Sequence, residues 1–185
     1  EGLCTIFPSW RGDSTVFNIQ HYDTDFNKVH ELRISTHLQY EFVGSAYDQQ
    51  SVYILYQSKS KKKKEPLGIL ITYSIKEKKA DTLSIRGLPT NDISRVSAYN
   101  GHLFFVCPTR KSNSNLFFIA KNTDYVKALT IGEVPDYTID DYLIDTIEDR
   151  VITCVNTSSI TRDNVIWLCE TTLNGEVTHV TDLPD

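Results

Sequence analysis

No methionine occurs anywhere in the 185 residues, and the chain opens on Glu1, so it reads as a processed or excised piece whose targeting signals would lie elsewhere. No apolar run approaches the roughly 20 residues that a spanning helix needs. No C-x-x-C pair is present, and the four cysteines and five histidines have no zinc-like spacing, so no metal site is readable. The sequence also lacks G-x-S-x-G, H-E-x-x-H, G-x-x-x-x-G-K-[ST] and G-x-G-x-x-G, which leaves neither an enzymatic signature nor an expected cofactor. Long helical periodicities are scarce. Hydrophobic residues at 40% and charged residues at 23% are ordinary globular usage, which excludes wholesale disorder, collagen-like sequence and a coiled coil. This length suits one domain with a real core.

Charge is uneven. Nineteen basic residues face 24 acidic ones, yet five lysines gather at Lys59 and Lys61 to Lys64, leaving 14 basic against 24 acidic elsewhere. Such an acidic body excludes a general nucleic-acid-binding surface and confines any such contact to one loop. Cys107, Cys154 and Cys169 lie in apolar, strand-like runs and read as small buried hydrophobes, which favours an intracellular compartment over a secreted one.

What the sequence has in abundance is strand signal: SVYILY (51–56), LGILITYSI (67–75), HLFFVC (102–107) and NLFFIA (115–120) recur between polar loops. Asn100-Gly101 and Asn174-Gly175 predict tight hairpins, because both residue types tolerate positive φ. Self-comparison then shows a repeat. FVGSAYDQQSVYILY (42–56), RVSAYNGHLFFVC (95–107) and LIDTIEDRVITCV (143–155) share a strand, tight turn, strand layout. Each is followed by a third strand and by a fourth ending in Leu-Pro or Val-Pro, and the second strands begin at Val52, Leu103 and Val151. Spacings of 51 and 48 residues are those of propeller blades.

These units predict an all-β fold, a β-propeller of four-stranded antiparallel blades over 42–89, 94–135 and 142–185. A partial blade over 1–35 supplies only second, third and fourth strands. The missing strand, or further blades, would come from another segment or chain. A β-sandwich is the alternative fold, but it does not account for the recurring endings. Tyr47 and Tyr99 recur before the first turn and read as blade packing.

The phrase SAYNGHLFFV, preceded by GLP, resembles a degenerate kelch repeat, and the similarity of layout covers about residues 42 to 184. Where kelch blades carry a glycine pair after the second strand, this chain has Tyr56-Gln57, Cys107-Pro108 and Val155-Asn156. The resemblance implies a propeller scaffold that presents loops to a partner protein.

Three features carry candidate function. The stretch DYTIDDYLID holds Asp136, Asp140, Asp141 and Asp145 and reads as a connection between blades. With 36–41 and 89–93, residues 135–141, including Asp136, Asp140 and Asp141, form an expected partner-binding face. The alternative reading of Asp136, Asp140 and Asp141 is a propeller hydrolase acting at the channel mouth, because acid/base work needs two oxygens converging on one point. Lys61, Lys62, Lys63 and Lys64 lie in a loop between second and third strands, expected on the opposite side from the connections and suited to an acidic or phosphorylated partner. Arg11-Gly12-Asp13 falls at an expected hairpin tip and resembles the integrin-binding tripeptide of a secreted adhesion ligand. The histidines at 21, 30, 37, 102 and 179 read as structural.

Overall fold

In the computed structural model the described residues are 2–12, 14–36, 40–58, 68–89, 93–107, 115–131, 137–157 and 165–183, the side chains of Thr157 and Val165 excepted. They form fifteen strands in four antiparallel sheets. The first sheet has three strands, β1 (Leu3–Arg11), β2 (Ser14–Tyr22) and β3 (Lys28–Thr36). The second has β4 (Tyr40–Tyr47), β5 (Ser51–Ser58), β6 (Gly68–Ser74) and β7 (Lys79–Ile85). The third has β8 (Ser94–Tyr99), β9 (His102–Val106), β10 (Leu116–Ile119) and β11 (Lys127–Ala128), and the fourth has β12 (Tyr137–Asp145), β13 (Arg150–Thr157), β14 (Val165–Thr172) and β15 (Val177–Leu183).

Within every sheet the strands follow one another in chain order. That is the meander of a β-propeller blade, not the crossed connections of a sandwich. Two units divide the chain, Glu1–Leu88 with the first two sheets and Pro89–Asp185 with the last two.

β-branched and aromatic residues on alternate sides of each strand explain the packing. In the first unit, Phe17 and Ile19 of β2 lie among Tyr40, Ile54, Tyr56, Ile69, Ile71 and Tyr73 of the second sheet, with the Phe17 and Tyr56 rings 4.4 Å apart. In the second unit, Phe104, Leu116 and Phe118 pack with Tyr137, Ile139, Tyr142, Val151, Val155 and Cys169. On the reverse faces of the second and third sheets, Leu55, Leu70 and Ile85 and Leu103, Phe105 and Ile119 are buried as well. On the reverse faces of the first and fourth sheets, Leu3, Phe7 and Leu143 are exposed.

The turns follow repeat rules of their own. Asn100 and Gly101 both have positive φ, at 47° and 80°, and close β8 on β9 as a two-residue turn. Asn174-Gly175 differs from expectation: only Gly175 is left-handed, and Gly175 N–H donates to Thr172 O while Thr172 N–H donates to Glu176 O, making a longer loop. Each hairpin between third and fourth strands carries one left-handed residue: Phe26, Lys78, Asn122 and Gly175. Among the described residues the fourth strand of the third sheet is Lys127–Ala128, just ahead of the expected ending LTIGEVP; Leu129 and Ile131 belong to the core, and Ile131 N–H donates to the Tyr137 hydroxyl.

Two substitutions test this backbone. A Cβ at Gly68 would stand 2.1 Å from Leu88 Cδ1 and 2.8 Å from the Tyr56 carbonyl oxygen, so Gly68→Ala is expected to lose about 1–3 kcal/mol. Lys78→Gly, at φ 53°, is expected to gain about 1 kcal/mol. Urea unfolding midpoints of the two variants against the parent chain check both signs.

Candidate interaction surface

The acidic stretch is not a connection. Asp140, Asp141 and Asp145 lie inside β12, where the register shift between Ile139 and Asp141 makes Asp140 the extra residue of a bulge. The Asp140 and Asp141 side chains are both exposed, but Asp141 is engaged in an ion pair. The Asp141 carboxylate pairs with the Arg95 guanidinium and accepts the Tyr142 N–H at 2.8 Å. Arg95, itself the bulged residue of β8 at φ 46°, lies over the Tyr142 ring at 4.7 Å and donates to the Tyr142 carbonyl at 2.9 Å. The Tyr142 hydroxyl returns to Ser97 Oγ at 2.9 Å. Two bulges thus meet and join the third sheet to the fourth.

Asp136, Asp13 and Lys61, Lys62, Lys63 and Lys64 lie outside the described residues. The lysine segment nevertheless leaves Ser58 and returns at Gly68, and the ladders place Tyr40 opposite Ser58, Gln57 opposite Gly68, and Gly68 opposite Ile85. It therefore departs from the same end of the second sheet at which the chain enters β4 and leaves β7. Expectation had put it on the other side; in a meander, the loop between second and third strands shares its end with the connections between sheets. Arg11 closes its hairpin opposite Ser14, and Gly12 is exposed at φ 60° with open space around it.

A row that sequence spacing hid runs across the first sheet. Cys4 stands opposite His21, and His21 opposite His30, so the three share the face turned to the second sheet. The Tyr73 hydroxyl lies 3.3 Å from His21 Nδ1, and the His30 ring stacks on Tyr73 at 6.3 Å. Burial pushes the Cys4 thiol up to about 11. Desolvation, reinforced by the Lys78 charge and by His30, holds His21 below its ordinary value. Among the described residues, no cluster of His, Cys, Asp or Glu suits a metal ion. His102 is structural, with Nδ1 at 3.2 Å from Asn100 O and Nε2 at 3.3 Å from Asn174 Oδ1.

The opposite end of the first unit presents aromatic side chains on rigid turns. Asp23 Oδ1 accepts the N–H groups of Asp25 and Asn27, each at 2.9 Å, and the loop it clamps holds Phe26 at φ 62° with 74% of its surface exposed. Asp48 Oδ1 accepts from the N–H groups of Gln50 and Ser51, and its Oδ2 accepts the Tyr53 hydroxyl, all at 2.9 Å. Burial and this carboxylate push Tyr53 up to about 12. Beside that clamp Tyr47 is 79% exposed, contrary to the packing role expected of it. Tyr99, at the matching point, instead donates to Asp149 Oδ1 at 2.7 Å. In the second unit Asp145 clamps its hairpin likewise, through Ile147 N–H, and Ile147 is exposed. The sequence signal was an apolar residue inside a turn-forming Asp phrase: DTDFN, AYDQQ and DTIED.

No family model matches the chain, and no curated protein matches it. Among solved structures it is similar to the β-propeller domain of the Trilobed protease from Pyrococcus furiosus, described as having an open velcro topology. The identity is 16% with 91% of this chain covered, and the TM-score is 0.45. The chain spans about half of that structure, 51% of its length.

The histidine row generates a pH prediction. With its folded-state pKa below the ordinary 6.5, His21 is neutral in the fold while the unfolded chain takes up a proton first. The stability this contributes is present above about pH 6.5 and is lost as pH falls below that value. Urea midpoints from about pH 7.5 to about pH 5 should decline, and His21→Phe should flatten the decline.

Proposed function

We propose that this chain is a protein-recognition module whose contact surface is the hairpin end of its sheets, with Phe26 and Tyr47 as apolar anchors in the first unit. The observation that carries this reading is the exposure of both aromatics on turns clamped by Asp23 and Asp48. An aromatic side chain held rigid before binding loses little entropy on entering a partner's pocket, and such residues dominate interface energetics. β2–β3 and β4–β5 turn at the same end of the unit, because the chain crosses from β3 to β4 at the other end. The kelch-like phrasing of the repeats suits the same role, and the basic segment Lys61 to Lys64 adds an electrostatic contact at the connection end.

Affinity capture from the native source, read by mass spectrometry, tests this. A partner held by the parent chain should be lost by Phe26→Ser with Tyr47→Ser at an unchanged unfolding midpoint, its affinity falling tenfold or more, about 1.4 kcal/mol. A partner retained by that double variant and lost on replacing Lys61 to Lys64 by serine would move recognition to the other end. No specific partner at all would overturn the proposal.

A further inference from the structure

We infer that the row Cys4, His21 and His30 is a proton-operated latch, which holds the hairpin end of the first sheet on the second sheet while both imidazoles are neutral and releases it when they take up protons. The latch is a property of the first unit alone and stands whether or not the hairpin end binds a partner. Its basis is where the row lies and what surrounds it.

Away from the tips the two sheets meet through apolar side chains, with Phe17 and Ile19 among Tyr56, Ile69 and Ile71. At the hairpin end that packing gives way to a polar joint. His21 stands two residues before Asp23, whose carboxylate clamps the loop of Phe26. Tyr73, which meets both His21 and His30, lies opposite Val52, and Val52 lies opposite Tyr47. One cross-strand row of the second sheet therefore runs from the joint to the second exposed aromatic. The joint sets the first hairpin relative to the next.

Neither imidazole has a place for a second proton. His30 Nε2 is buried without a hydrogen-bond partner among the described residues, and a charged ring, which carries an N–H on both nitrogens, would bury that one unpaired. His21 Nδ1 lies 3.3 Å from the Tyr73 hydroxyl, which can donate to it only while Nδ1 carries no hydrogen. The other groups at the joint do not take up the charge. Cys4 on β1 and Tyr73 on β6 stay neutral, burial pushing both up, and the Lys78 ammonium of the β6–β7 turn opposes a further cation. From β4, β5 and β7 the same row brings Tyr47, Val52 and Ala80. Among the described residues Asp23 is the one acid acting on His21, and its carboxylate is already bonded to the N–H groups of Asp25 and Asn27. Glu31 and Arg33 lie on the other face of β3, paired with each other.

The second unit supplies the contrast. His102 Nδ1 lies 3.2 Å from the Asn100 carbonyl oxygen and Nε2 lies 3.3 Å from Asn174 Oδ1, so a charged ring there would have both of its N–H groups bonded. The hairpins of that unit are also tied by the Tyr99 hydroxyl, which donates to Asp149 Oδ1 at 2.7 Å. Acid is therefore expected to open the joint of the first unit and to leave the hairpins of the second in place. Phe26 and Tyr47 stand on the two sides of the joint, so a partner gripping both would be let go as pH falls. That consequence alone rests on the hairpin-end reading.

Amide exchange of the 185-residue chain, followed by NMR and expressed as protection factors from about pH 7.5 to about pH 5, tests the latch. An imidazole that titrates near 6.5 when released and stays neutral when held shifts the opening by at most about thirtyfold at pH 5. Slow amides within 19–22 and 28–32 should lose protection roughly tenfold or more, while those within 103–105 and 151–155 hold theirs. His21→Gln with His30→Phe, which keeps a hydrogen-bonding group at the Tyr73 hydroxyl and a ring stacked on Tyr73, should abolish the loss. Should that double variant not fold, the imidazole resonances of the parent chain decide, since His21 or His30 has to titrate over the range in which protection falls. Protection unchanged down to pH 5, equal loss in both units, or imidazoles that titrate with the hairpin still closed would each overturn the latch. Retention at about pH 5 of a partner captured at about pH 7.5, with the joint open, would overturn the link to recognition and not the latch.

Discussion

A β-sheet whose strands are apolar on both sides has to be covered on both sides, and the rest of this structure depends on that constraint. Phe17, Tyr56 and Tyr73 in the first unit and Phe104, Tyr142 and Val155 in the second close one face of each sheet against its neighbour. Full burial of each such side chain stabilises by about 1.5–3 kcal/mol relative to exposure. The second and third sheets have buried apolar residues on both faces, whereas Leu3 and Phe7 of the first sheet and Leu143 of the fourth are exposed, as are Phe26, Tyr47 and Ile147 at or beside hairpin tips.

Where faces must meet closely, backbone irregularity does the fitting. The bulges of β8 and β12 bring Arg95 onto Asp141 and the Tyr142 ring, a contact that flat, regular strands would not form. Its ion pair is solvent-facing, so its direct contribution is small, on the order of 0–1 kcal/mol. The weight falls on the buried Tyr142 ring and its hydroxyl bond to Ser97. Turn clamps by Asp23, Asp48 and Asp145 act in the same spirit on the surface. Each spends its carboxylate on backbone N–H groups, and the apolar residue beside it is held out toward solvent.

Much of this was legible. Strand phrases, their order, the incomplete first sheet and the Asn100-Gly101 turn follow from residue type and spacing, because alternation and turn chemistry act over a few neighbours. Cys4, His21 and His30 lie 17 and 9 residues apart in sequence and meet only through the ladders, so no spacing rule finds them. Asp141 and Arg95 are likewise 46 residues apart and meet because two sheets stack. Tyr47 and Tyr99 occupy the same place in their repeats and differ in exposure, since the partly buried Tyr99 reaches Asp149 on the neighbouring hairpin while Tyr47 remains in solvent.

By itself, then, the sequence determined the all-β class, the four-strand repeat and the three-strand first sheet, all of which rest on local periodicity. Tertiary structure alone decided which carboxylates are engaged, which end of a sheet each loop leaves from and which aromatics face water. Those properties depend on pairing register and on what lies across a face, and neither is encoded within the reach of a single strand and its turn.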